Sequence, residues 1–131
     1  MQTVTIKSEI RASIRNVWNT VTTPEHHSWR SGINHIVTHD EQNFTEYTTD
    51  GYATHFTVIV SRPYSCYKLY FENNNLNGHW TGVFRETIYG TEIEFTESVH
   101  VRKWWMRPFA GTYLKKQQTV YLADLKKACE K

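Results

Sequence analysis

The chain has 131 residues, 39% hydrophobic and 21% charged, with a formal net charge of +2. That length suits one compact domain spanning 1–131, and no apolar run reaches the ~18 residues a bilayer crossing needs, so membrane insertion is not expected. Cys66 and Cys129, without C-x-x-C spacing, are too few for a disulfide framework and are read as reduced thiols, and the opening "MQTVTIKSEI" lacks a secretory pattern, so a cytoplasmic location is expected.

In chain order, "TVTIKSEIRA" alternates Val4, Ile6 and Ile10 with Thr5, Lys7 and Glu9, which predicts a half-buried strand. Ser13 then offers an N-cap, and Ile14, Val17, Trp18 and Val21 follow an i, i+3, i+4, i+7 rhythm, predicting a short amphipathic helix that Pro24 ends. A second short helix is predicted through "PEHHSWRSG", with Pro24 at its first position and Gly32 releasing the chain. From there to Arg102, turn chemistry at 39–43, 49–51, 61–65, 73–78 and 89–91 separates six strands of an antiparallel meander. Asp50-Gly51 is the strongest hairpin signal among these breaks, and Pro63 belongs at a strand end. A long helix follows from about Pro108 to Glu130, with Leu114, Tyr121, Leu125 and Ala128 on one stripe and Ala110 and Gln117 on its line.

The predicted fold is α+β: a seven-stranded antiparallel sheet wrapped around a long C-terminal helix, with two short helices between strands 1 and 2. From residue 102 onward Arg102, Lys103, Arg107, Lys115, Lys116, Lys126, Lys127 and Lys131 face only Asp124 and Glu130. That basic helix leaves open a protein-interaction module as one reading of the chain.

Aromatic residues make up 15% of the chain, including five Trp and eight Tyr, and rings of that size either fill a core or line a hollow. Alternation aims Tyr52, Phe56 and Val58 inward from one strand, Tyr67, Leu69 and Phe71 from the next, Trp80 and Phe84 from a third, and Ile93 and Phe95 from the last. In "IEFTESVHV" the same alternation puts Glu97 on a face with Ile93, Phe95, Val99 and Val101, where an unpaired charge costs several kcal/mol. Glu97 has three readings: a carboxylate turned to water by a bulge or frayed end, or paired with an arginine such as Arg85; the polar anchor of an apolar pocket; or a general acid or base with a raised pKa. Glu86, on a face with Phe84 and Ile88, poses a weaker version of the question.

His35 and His39 stand about 13 Å apart on a strand, and the adjacent His26 and His27 diverge, so no metal and no other cofactor is expected. There is no nucleophile elbow, phosphate-cradling loop, dinucleotide fingerprint or RNA-recognition motif, and nucleic acid is not an expected partner.

The helix "RASIRNVWNTVTTPEHHSWR", the Pro63 turn, "YGTEIEFT" and the closing "LADLKKACE" together resemble the SRPBCC superfamily of START-like and polyketide cyclase/dehydrase-like proteins over the whole chain. The resemblance implies a helix-grip fold with a cavity for a lipid, polyketide or aromatic metabolite, in a monomer or weak homodimer. It also places Trp29 at the cavity mouth. The ligand-facing candidates are therefore Trp29, Tyr52, Phe56, Tyr67, Leu69, Phe71, Trp80, Phe84, Phe95, Glu97 and, on the long helix, Tyr113. Binding of a small hydrophobic molecule is the first expectation, and a cyclase, dehydratase or isomerase using Glu97 is the second.

Overall fold

The structure, a computed structural model, describes residues 1–130; Lys131, counted above with the basic C-terminal residues, lies outside them. The elements in order are β1 (Gln2–Ile10), α1 (Ile14–Thr22), β2 (Ile33–Thr38), β3 (Asn43–Thr48), β4 (Ala53–Arg62), β5 (Cys66–Glu72), β6 (Leu76–Thr87), β7 (Gly90–Val101), a 3-10 turn (Trp104–Met106) and α2 (Arg107–Cys129). The seven strands form one antiparallel sheet in the order β1-β7-β6-β5-β4-β3-β2. Register shifts between Val58 and Val60 in β4, and between Ile33 and His35 in β2, bend the sheet at its far end.

α1 starts where Ser13 Oγ accepts the Asn16 amide at 3.2 Å. Gly90 and Thr91 hold this corner. A Cβ at Gly90, φ +148°, would come within 2.3 Å of the Ile10 carbonyl oxygen, and the buried Thr91 hydroxyl donates to the Ala12 carbonyl at 2.9 Å.

The second predicted helix does not form. Residues 23–32 make isolated turns, His26 N to Thr23 O at 3.1 Å and Arg30 N to His27 O at 2.9 Å. Their side chains are held by different parts of the fold. The Trp29 indole N–H bonds back to the His26 carbonyl at 3.0 Å, Arg30 reaches Glu46 on β3, and the Ser31 amide and hydroxyl both donate to Asp124 on α2 at 2.9 Å. The segment is thus a strap between β3 and α2.

α2 also sits slightly rolled from the expected stripe. Ala110, Leu114, Gln118, Leu125 and Cys129 are its buried residues, whereas Gln117 is exposed and Ala128 only half-buried. Gln118 turns inward, where its amide donates to the Val4 carbonyl of edge strand β1 at 3.3 Å. The close neighbours of α2 are β1, β7 and α1. Under it lies the dry core, in which Ile10, Val17, Ile93, Phe95 and Leu125 are at most 1% exposed.

Candidate functional site

Because α2 lies over β1 and β7, the inner faces of β3 and β4 have no helix pressed against them. Phe44 of β3 is buried, but Phe56 and Val58 on β4, and beside them Trp80 on β6, Ile36 on β2 and Trp29 on the strap, are only partly buried. Together with Tyr121 and Leu122 on the flank of α2 they make a partly exposed apolar surface packed on the core, which is the candidate groove.

Strand register sets its floor. One row across the sheet reads Val4, Glu97, Trp80, Leu69 and Val58, and the next reads Val99, Gly78, Phe71, Phe56 and Phe44. Trp80 folds over Gly82, where a Cβ would come 2.7 Å from the indole, and so reaches Phe95 at 4.8 Å between ring centres and Tyr121 at 6.2 Å.

Glu97 sits in the middle of this floor with its backbone in regular register on both sides, opposite Val4 and Trp80. No bulge or frayed end turns it to water. Arg85 does not pair with it either, since that guanidinium holds Glu92 on the outer face at 2.5 Å. The Glu97 carboxyl is half-buried and makes no hydrogen bond or ion pair within the described residues. Desolvation, reinforced by the charge of Glu46 and opposed by Arg30, pushes its pKa up to about 7. Near neutral pH it is therefore both a proton donor and an acceptor.

Arg30 and Glu46 form an ion pair at 2.5 Å, with side chains 23% and 13% exposed. The Arg30 guanidinium lies 5.1 Å from the centre of the Tyr121 ring, against which Trp29 packs edge-on at 5.2 Å. Burial works against the guanidinium's charge, but Glu46, Tyr121 and Asp124 outweigh it and raise the Arg30 pKa. Burial raises the Tyr121 hydroxyl well above its ordinary value. It also lifts Tyr67 to about 12, helped by Glu25 and Glu46.

Between the β3–β4 and β5–β6 turns an open depression of about 420 Å³ is bounded by Asp50, Gly51, Tyr52, Ala53, Asn73 and Asn74. Tyr113 lies on the same flank of α2 as Gln117. Burial, then Glu97, then Tyr52 raise its hydroxyl pKa, against a 2.7 Å hydrogen bond from Gln117. Tyr113 thus lies within electrostatic reach of both the depression and the buried carboxyl.

Of the candidates read from the sequence, Trp29, Phe56, Trp80 and Glu97 surround the groove. Tyr52 and Tyr113 are 58% and 52% exposed. Tyr67, Leu69, Phe71, Phe84 and Phe95 are close-packed beneath it, at most 8% exposed. Phe84 turns its ring to Trp18 of α1 at 5.0 Å. Glu86 is exposed and takes no part. Sequence reading missed Arg30 and Glu46 and gave Tyr121 only a packing role. Glu46 carried a signal, since in "NFTEYT" it shares a face with Phe44 just as Glu97 shares one with Phe95.

No known family model matches the chain, and no curated protein matches it. Solved structures do. A START superfamily protein from Mycobacterium smegmatis superposes with a TM-score of 0.81 at 14% identity, over 98% of this chain and 97% of that one. The fold is the START-like helix grip. A conserved protein from Geobacillus kaustophilus also superposes, with a TM-score of 0.79 at 16% identity over 95% and 91% of the two chains. The di-domain ARO/CYC protein BexL of the BE-7585A biosynthetic pathway superposes with a TM-score of 0.82 at 15% identity, over 99% of this chain and 50% of its own length. The chain spans about half of BexL's length.

Proposed function

We propose that the groove binds a small, largely apolar molecule carrying one hydrogen-bonding group, such as a lipid, polyketide or aromatic metabolite. The observation that carries this reading is Glu97: a half-buried carboxyl without a protein partner among the described residues, on the inner face of β7 across from Trp80 and on the same face as Phe95. A side chain that is costly to desolvate and has no partner of its own is suited to a partner that arrives with a ligand. The rings supply contact area, and the carboxyl fixes orientation by accepting from a hydroxyl or amine, or by donating to a carbonyl when protonated.

A screen of lipids and aromatic metabolites by thermal shift, with native mass spectrometry of the freshly purified chain, tests the proposal. Binding is expected to raise the melting temperature and to change emission from Trp80. No shift across the panel together with no co-purifying molecule defeats it.

A second reading is favoured by the pKa of about 7 at Glu97, which suits a general acid or base of cyclase, dehydratase or isomerase type. The shared fold with an ARO/CYC protein points the same way. Glu97→Gln then abolishes turnover while leaving binding within a few fold; a carrier shows no turnover to lose.

A further inference from the structure

The end of the molecule that holds the 420 Å³ depression gathers three chain segments: the β3–β4 turn with Tyr52, the β5–β6 turn with Asn73 and Asn74, and the 3-10 turn that leads into α2. A hydrogen bond from the Arg102 amide to the Asn75 carbonyl, 2.9 Å, joins the last two. On this end Trp104, Trp105 and Phe109 are 74%, 57% and 70% exposed. Three large rings close in the sequence and free of the core are costly in water, where indole and phenyl surface loses about 25 cal/mol per Å² left unburied. None of the three packs against another ring of the described residues; the one partner is the Lys103 ammonium, 6.0 Å from the Trp105 ring centre.

The same stretch is rich in cations: Lys103 and Arg107 flank the 3-10 turn, and Lys115 and Lys116 follow on the first half of α2. The carboxylates at the same end are Asp50 and Glu72, and Glu72 lies 3.6 Å from Arg102. Exposed Trp and Phe rimmed by Lys and Arg is the composition that settles at the headgroup level of a bilayer with acidic lipids, apolar rings below the phosphates and ammonium groups among them. No helix of the described residues is long and apolar enough to cross a membrane, and such a contact needs none.

We propose that this end of the molecule docks peripherally on an anionic phospholipid surface through Trp104, Trp105 and Phe109, with Lys103, Lys115 and Lys116 meeting the headgroups. Two other occupants fit less well. A second copy would bring Lys103 and Lys116 against like charges. A nucleic-acid strand needs aligned ring faces along a basic channel, whereas these rings protrude singly. The docking surface does not depend on what the groove holds, so its test is independent of the ligand.

The test is sedimentation of the whole chain with vesicles of phosphatidylcholine alone and of phosphatidylcholine mixed with phosphatidylglycerol, at low and high salt. Binding to the mixed vesicles is expected to be at least about tenfold tighter, to weaken as salt rises, and to shift Trp emission to the blue. The combined variant Trp104→Ala, Trp105→Ala, Phe109→Ala is expected to lose at least about tenfold in binding with its melting temperature retained, because its side chains hold no core contact. Lys103→Gln, Lys115→Gln, Lys116→Gln together are expected to abolish the preference for acidic lipid. Ile88→Ala with Tyr89→Ala, exposed at the opposite end, leaves binding unchanged. The proposal is overturned by absence of binding to the mixed vesicles, or by binding that survives both combined variants. It is also overturned if the same rings instead mediate self-association or tighter binding to a single-stranded oligonucleotide.

Discussion

The two halves of the sheet use the same ring-rich alternation and reach opposite states. Under α2, strands β1 and β7 and their neighbours bury Ile10, Ile93 and Phe95 almost completely, while beyond the helix Phe56, Val58 and Trp80 stay partly open near the Arg30–Glu46 pair, and Glu97 on β7 lies between the two. The inward-facing pattern of a strand decides which side chains leave water's outer face. Whether they become core or binding surface depends on where the helix comes to rest.

Truncation should separate the halves most strongly. Phe95→Ala, in the closed half, is expected to cost about 3–5 kcal/mol by leaving a cavity, and Phe56→Ala in the open half no more than about half of that. Chemical denaturation of the two variants checks it, and equal losses would erase the distinction drawn here.

The next effect is pH-linked. With its folded pKa raised from 4.5 to about 7, Glu97 keeps its proton in the native state while the unfolded chain gives it up. Its contribution to stability is therefore greatest below pH 4.5 and falls as pH rises through about 7, by about 2 to 3 kcal/mol, the lower figure allowing for its partial exposure. Glu97→Gln should flatten that slope and melt higher than the parent at pH 8. A variant that melts lower at pH 8 would mean that the carboxylate has a stabilising partner.

Arg30→Ala ranks third. It leaves Glu46 half-desolvated without its cation, at an expected cost of about 2 kcal/mol, and Glu46→Gln in the same chain should recover much of it. The smallest effect belongs to the outer face. Breaking the exposed Arg85–Glu92 pair with Arg85→Ala should change stability by less than about 0.5 kcal/mol. A larger loss there would mean that the outer surface carries more of the fold than its exposure suggests.

Much of this was legible in the sequence. Turn residues such as Asp50-Gly51 separate the strands correctly, and period-two alternation in β7 exposes Glu97 as an anomaly on a face that is otherwise apolar. What failed depends on contacts distant in sequence. Residues 23–32 carry a plausible helical pattern, yet Arg30 and Ser31 are drawn to Glu46 and Asp124, and no local rule anticipates either partner. Gln118, not Gln117, lies on the helical stripe of Leu114, Tyr121 and Leu125, and its amide there meets a carbonyl of β1. For the same reason alternation named Tyr67, Phe84 and Phe95 alongside Phe56 and Trp80 without telling floor from filling.

The strap between β3 and α2 closes on two carboxylates, Glu46 holding Arg30 and Asp124 holding both polar groups of Ser31. Polar latches have a fixed reach, unlike greasy contacts that slide. Under the proposed binding role, a guest thin enough to slip beneath the strap would leave both clasps fastened, whereas a bulkier one would have to prise open a charge-assisted bond first. Girth, as well as greasiness, would then decide which molecules enter.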